Sequence, residues 1–152
     1  MIAEVVFGIP FLLGILMHFV DPFSLPQIRG IFRQILIPVG IVILIVGIGI
    51  IVLARTEFAH YDQPTDPGHP TSKVVKTGVF TISRNPLYLG SVFVFLGIAL
   101  IFNLLWTIIT LLISIIISHF ILIIPEERYL AAKFGEEYNE YFVSVHRWLG
   151  RK

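Results

Sequence analysis

The chain has 152 residues, of which 56% are hydrophobic and 14% charged, with a mean hydropathy of +0.88 and a formal net charge of +1. A soluble domain carries roughly 25% charged residues, so these charges cannot cover a water-facing surface and the chain is expected in a membrane. The near-neutral balance gives no case for nucleic acid, and the absence of cysteine excludes disulfides, thiolate metal sites and cysteine nucleophiles.

A spanning helix needs about 20 mostly apolar residues. Residues 2–20 are the first candidate; the run contains Pro10 and His18 and is ended by Asp21-Pro22. No basic residue precedes its apolar part and no small-residue cleavage site follows, so a retained membrane helix is expected and not a cleaved leader. Arg29 and Arg33 precede a second run, 34–54, which is uncharged, holds Pro38, Gly40, Gly47 and Gly49, and is closed by Arg55.

Residues 55–84 are polar and include "YDQPTDPGHPTSKVVKTG". Such Pro, Gly, Asp and Thr content favours turns, so an ordered loop is expected here and not a third span. His60, Asp62, Asp66 and His69 fall in this loop. Proline and glycine interrupt them and no metal-ligand spacing matches, so no metal site is expected. The loop runs into "SRNPLYLG", residues 83–90. Locally this is a helix start: the Asn85 side chain can accept a free backbone N–H, and Pro86 suits the first helical position.

No charged residue occurs from 85 to 125, roughly twice the length of one span. The expected arrangement is a hairpin of two helices, 86–102 and 104–124, turning at Asn103. Gly90 and Gly97 permit a neighbour to come close. Ser118 and His119 lie in the second helix, and His119, about two turns before Glu126, is expected to share its face. A polar residue inside a membrane is a candidate functional group, although a neutral histidine bonded to a neighbouring helix is the simpler expectation. After the hairpin, Leu130, Phe134, Tyr138, Tyr141, Phe142 and Val145 recur at helical spacing between charges, which predicts one amphipathic helix over 126–152, on the membrane surface or against the polar loop.

The expected fold class is therefore an all-α integral membrane protein of one domain, 1–152. It would have two N-terminal spans (1–54), a cytoplasmic loop (55–84), a helical hairpin (85–125) and a cytoplasmic C-terminal helix (126–152). Four spans gather Arg55, Lys73, Lys76, Arg84, Arg128, Lys133, Arg147, Arg151 and Lys152 on one side, with Arg29 and Arg33 on the other. The richer side is expected to be cytoplasmic, with both termini and the polar segments there.

Two further clusters carry chemistry. Glu126 and Glu127 follow Pro125; acids in a first helical turn also simply complement the helix dipole. Arg147-Trp148 is equally the composition of an interfacial anchor. The common nucleotide, hydrolase and metalloprotease motifs are absent, and no acid or base lies deep in a span, which argues against an ion-coupled transporter.

Taken in order, "PTSKVVKTGVF", "SRNPLYLG", the hairpin, "PEERYLAAKFGEEYNEYF" and "VHRWLG" resemble the isoprenylcysteine carboxyl methyltransferase family, in the broad sense that includes prokaryotic members and phospholipid methyltransferase relatives. The resemblance covers about 62–148; the N-terminal third matches only as membrane helix. It implies S-adenosylmethionine (SAM), held between the loop before the hairpin and the helix after it. The cofactor residues it implies are Thr77, Gly78, Phe80, Arg84, Asn85, Pro86, Tyr88, Leu89, Glu126 and Glu127. Carboxylates accept from the ribose diol and α-ammonium of SAM, which suits Glu126 and Glu127. Arg84 and the helix start suit its α-carboxylate. Val79, Phe80, Pro86, Leu87 and Tyr88 offer apolar walls for adenine, and Gly78 lets backbone approach the ligand. The family often has histidine at the position of Asn85. Asparagine donates and accepts but does not titrate near neutrality, so it would bind or orient.

By the same resemblance Arg147 is the expected catalytic residue, pairing with an anionic acceptor or steering its head group. Methyl transfer from a sulfonium is an in-line displacement, served mainly by alignment and exclusion of water. A carboxylate acceptor is already ionised, which favours O-methylation of a lipid-like or amphiphilic acid; a phospholipid amine or a small thiol is the alternative acceptor. The stretch "HYDQPTDPG" departs from the Gly-Thr type of sequence in many relatives and bears on acceptor choice. Two other readings compete: a related NADPH-dependent membrane reductase, whose chains are much larger, and a non-catalytic membrane scaffold.

Overall fold

The computed structural model describes residues 2–21, 31–63 and 71–152, with side chains from 5–21, 34–63 and 71–152. It is helical, with no strand among the described residues beyond an isolated bridge between Val145 and Arg151. The helices are α1 (Ile2–Val20), α2 (Ile31–His60), α3 (Pro86–Phe102), α4 (Leu105–Ser118), α5 (Ile124–Phe134) and α6 (Glu136–Ser144). Asp66, His69, Arg29 and the Arg33 side chain lie outside the described residues.

Among the described residues two continuous helices are long and apolar enough to cross a bilayer, 34–60 within α2 and 105–134. α1 and α3 are shorter apolar helices; the 17 residues of α3 rise roughly 26 Å against a hydrocarbon core of about 30 Å. Four full crossings therefore do not follow from helix length. The long α2 is not the core of a soluble bundle: only 11% of its most apolar window is buried. Ile45 and Val42, at 64% and 60% exposure, are typical of that outward face, an apolar surface suited to lipid.

The hairpin turn is where the sequence placed it. Asn103 adopts φ 55°, ψ 45°, the left-handed conformation that asparagine tolerates better than other non-glycine residues. The Leu104 N–H donates to the Ala99 carbonyl at 2.8 Å and the Asn103 N–H to Leu100 at 3.3 Å, closing α3 with a Schellman pair. The partners of the hairpin helices differ from expectation. α3 packs mainly along α2, and α4 along α1. Glycine decides the first pairing. A Cβ on Gly97 would lie 2.7 Å from the Gly40 carbonyl oxygen, and one on Gly90 would lie 2.9 Å from that of Gly47. Two glycines seven residues apart on each helix thus bring the backbones into contact.

The C-terminal region is also built differently. α4 does not stop before Glu126. It passes through a π-helical turn, His119–Ile123, into α5, so 105–134 is one continuous helix. Pro125 has no N–H to give the helical ladder, and the widened turn lies immediately before it. The single amphipathic helix expected over 126–152 is broken at Gly135, φ 57°, a conformation that glycine adopts without steric cost. α6 follows, and 145–152 is a non-helical clasp. The apolar periodicity still holds: Tyr138, Tyr141 and Val145 are buried with Ala54, Val75 and Phe80, and Leu130, Phe134 and Phe142 pack around them.

Gly97→Val should lower the melting temperature in detergent, at a cost of roughly 1–3 kcal/mol or more from overpacking. Gly49 makes the contrast, because a Cβ added there would meet nothing within 4 Å. Gly49→Ala should be neutral or stabilising by about 0.5–1 kcal/mol. Intrinsic tryptophan fluorescence during heating reads both.

Candidate active site

Four short segments converge at one end of the bundle: the end of α2, the 71–85 loop, α5 and the C-terminal clasp. The loop reaches this place through a 3₁₀ turn, Gly78–Thr81. The Tyr141 hydroxyl donates to the Phe80 carbonyl at 2.8 Å in a buried setting. The clasp then takes hold of the chain just before α3. Arg84 N–H donates to the His146 carbonyl (3.2 Å), and Gly150 N–H to Ile82 (2.7 Å). The Arg147 carbonyl accepts from Ser83 Oγ and from Asn85 Nδ2, each at 3.3 Å. Asn85 is the N-cap of α3 by position, but its side chain makes no capping bond. Its amide reaches the clasp instead, while its own N–H donates to Ser83 Oγ at 3.1 Å. The expected local cap is thus replaced by a tertiary tie.

Glu127 lies at the centre, 7% exposed. Its Oε1 accepts from Arg147 Nε at 3.0 Å and its Oε2 from Arg147 Nη2 at 2.5 Å, a bidentate fork. Arg84 Nη2 lies 3.2 Å from Glu127 Oε1. The third arginine nitrogen, Nη1 of Arg147, meets His119 Nε2 at 3.1 Å, so His119 belongs with Arg147 and not with Glu126. The bond to Glu127 raises the Arg147 pKa above its ordinary value, so Arg147 stays a cation throughout the physiological range.

A cavity of about 460 Å³ opens beside this cluster, within the size range of small-molecule sites. Arg84, Asn85, Phe80, Tyr88, Glu126 and Glu127 of the expected residues line it. Arg84 has a side chain only 4% exposed, stacked with its guanidinium carbon 3.9 Å from the Phe142 ring centre. Its Nε and Nη1 are buried with no hydrogen-bond partner among the described residues. Glu126 bonds no arginine; its Oε2 accepts from the Tyr88 hydroxyl at 3.2 Å.

Five expected residues are not in the lining. Pro86 and Leu89 are buried in the first turn of α3. The Thr77 hydroxyl donates to Glu57 Oε2 at 2.6 Å, and Gly78 lies against the same Glu57 side chain, so this pair joins the loop to the end of α2. Arg147 stands behind Glu127. Of the further apolar walls expected for adenine, Val79 and Leu87 pack into the neighbouring apolar cluster. The sequence reading missed Phe58, Thr71, Lys73, Val74, Val75, Tyr129, Leu130, Tyr138 and Tyr141 as lining residues. The inward face of α5 and α6 was visible as periodicity; that it formed a cavity wall was not. Burial, with Glu127 nearby, pushes the Tyr138 hydroxyl up to about 12, and burial likewise raises Tyr141, so both phenols remain neutral donors. Among the described residues no cluster of metal-ligating side chains occurs.

The model of the phospholipid methyltransferase (PEMT) family matches residues 35–137. The chain belongs to this family. Its wider grouping is the isoprenylcysteine carboxyl methyltransferase-like family, as the ordered motifs indicate. No curated protein and no solved structure matches the chain. The match makes the protein a methyltransferase, implies SAM as methyl donor and implies a lipid substrate in a membrane setting. The matched span takes in α2 to α5 and with them Arg84, Glu126 and Glu127. The clasp lies beyond it, and Arg147 reaches the matched region through Glu127 and His119 by its side chain and through Ser83 and Asn85 by its carbonyl.

Glu127→Gln should remove both ion pairs and leave two arginines without their counter-ion. Breaking a buried pair costs roughly 3–5 kcal/mol, so its melting temperature should fall well below wild type. Glu126→Gln, which loses no ion pair, should change stability by under about 1 kcal/mol. Thermal unfolding of the two variants side by side checks the contrast.

Proposed function

We propose that the protein is a SAM-dependent methyltransferase that modifies the amine head group of a membrane phospholipid, with the cofactor held in the cavity beside Glu127. The carrying observation is Arg84: a buried guanidinium in the cavity wall with Nε and Nη1 unpartnered. A buried donor without an acceptor is costly, and an α-carboxylate supplies acceptors of the right charge. Glu126, the lining carboxylate that no arginine engages, suits the α-ammonium or the ribose diol. Asn85 and Tyr88 line the same wall and orient these groups. In this reading Glu127 does not touch the cofactor; it fixes Arg84 and Arg147. Thr77, Gly78, Pro86 and Leu89 shape the loop and the helix start around the site.

When bound, SAM supplies a methyl group on a sulfonium for in-line transfer to the acceptor. The work left to the protein is alignment and water exclusion. Six aromatic rings line the cavity, from Phe58, Phe80, Tyr88, Tyr129, Tyr138 and Tyr141, and aromatic faces attract sulfonium and ammonium cations alike. An amine is preferred here to the carboxylate acceptor favoured on sequence. Arg147, the residue expected to meet an acidic acceptor, has its fork on Glu127 and its remaining nitrogen on His119. Arg147 also lies outside the cavity lining, away from an acceptor seated there. Ile121 lines the cavity and is 62% exposed on the apolar helix, so a head group can approach while its acyl chains stay in the bilayer.

The topology in this reading keeps four membrane-embedded helices, with both termini and the site cytoplasmic. Support comes from the basic residues around the site, Lys73, Lys76, Arg84, Lys133 and Arg147, under the positive-inside rule.

Titration with S-adenosylhomocysteine (SAH) should give binding to wild type that is weakened about tenfold or more in Arg84→Ala, consistent with a lost charge-assisted bond. Label from methyl-tritiated SAM should enter phosphatidylethanolamine in a base-stable form. Label released as volatile methanol by mild alkali would identify a methyl ester and overturn the amine assignment.

A further inference from the structure

Thr71 combines a fixed backbone with an unused hydroxyl. Its carbonyl accepts from Lys133 Nζ at 2.6 Å, which ties it to α5. The next residue is held from the other side: Ser72 N–H donates to Gln63 Oε1 at 2.6 Å, and Gln63 Nε2 donates to Ser72 Oγ at 2.8 Å. Gln63, at the end of α2, is itself buried. One hydrogen bond to the Thr71 carbonyl and two to Ser72 thus hold this stretch of the loop from two sides. Yet Thr71 Oγ1 is excluded from solvent and has no hydrogen-bond partner among the described residues. Buried hydroxyls are normally satisfied, and one left unpaired beside a cavity is open to a ligand.

The surroundings say what that partner is like. Thr71 lines the cavity, as do the apolar Phe58, Val74, Val75 and Leu130 and, more polar, Lys73 and Tyr129. That is the composition wanted by a flat heterocycle carrying ring nitrogens and an amine. The position is apart from the charged end. Lys133, which holds Thr71, comes seven residues after Glu126 on α5, about 10 Å of helix rise. A ligand with an amino-acid group at one end and a base at the other would pair with Arg84 and Glu126 and extend along α5 toward Thr71.

We infer that Thr71 is the base-recognition residue of the site, its hydroxyl bonding the adenine edge of the cofactor in a slot between the end of α2 and α5. The inference rests on the SAM reading above and moves the base away from the Pro86–Leu87 wall that the sequence suggested. A hydroxyl can donate to a ring nitrogen or accept from the exocyclic amine, so either edge of the base satisfies it.

The test uses full-length protein in detergent, two ligands and three variants. SAH carries both ends of the cofactor, and 5′-methylthioadenosine lacks the amino-acid end. Thr71→Val should weaken both ligands by a similar factor, about 5- to 10-fold; Thr71→Ser should stay within about threefold of wild type. Arg84→Ala should weaken SAH and leave methylthioadenosine unchanged. Without ligand, Thr71→Val should melt at or above the wild-type temperature, since it removes an unpaired polar atom, and only its ligand-induced shift should shrink. Wild-type affinity of Thr71→Val for both ligands overturns the role of Thr71 and leaves the SAM reading standing. So does a fall in its unliganded melting temperature with no change in affinity. Failure of folded wild type to bind SAH overturns the SAM reading and this inference together.

Discussion

The protein is organised around one buried carboxylate. Glu127 receives a guanidinium fork from Arg147 in the clasp and a second guanidinium from Arg84 at the start of α3. A charge taken out of water is tolerated only when paired and hydrogen-bonded, so three chain segments distant in sequence are obliged to meet there. The carboxylate carries one negative charge and its partners two positive ones. The cluster therefore keeps an excess of positive charge, and the unpartnered nitrogens of Arg84 present it at the cavity wall. The same interaction that fixes the fold at this end supplies an anion-binding edge.

Around that centre, local geometry serves placement. Seven-residue glycine spacing lets α2 and α3 touch backbone to backbone, which sets the end of α2 close to the loop before α3. The π turn at His119–Ile123 lets one continuous helix serve two environments. Before it the helix buries Thr107, Leu111, Ser114 and Ser118 and turns Leu112, Ile113 and Ile116 outward. After it Glu126, Glu127 and Leu130 face the cavity. One residue of extra winding re-aims the side chains of α5, as such turns do at functional sites, and here it permits Pro125 as well.

The two adjacent acids illustrate how neighbours of like chemistry separate in role. Successive residues on a helix point about 100° apart. Glu127 thereby meets two arginines, and Glu126 meets Tyr88 and the cavity. The polar loop divides in the same way. Thr77 and Gly78 lock to Glu57, whereas Thr71 is held by Lys133 and its neighbour Ser72 by Gln63, with the Thr71 hydroxyl unused.

Much was legible in the sequence because it rests on local rules. Composition required a membrane, Asn103 marked the turn, apolar spacing in 130–145 marked the buried face, and the order of the motifs marked the family. Six of the lining residues, among them Arg84 and Glu126, were named through the resemblance to the family. What the sequence did not reveal depends on contacts between distant segments. No periodicity states that Asn85 will tie to the clasp in place of capping its own helix. Nothing local indicates that Arg147 will be consumed by Glu127, or that Phe58 and Thr71 will complete the cavity. Charge pairing and close backbone approach are decided by what stands opposite in space. The sequence thus determined the class of molecule and the residues able to do chemistry, and only the tertiary structure decided which of them face the cavity and which hold the others in place.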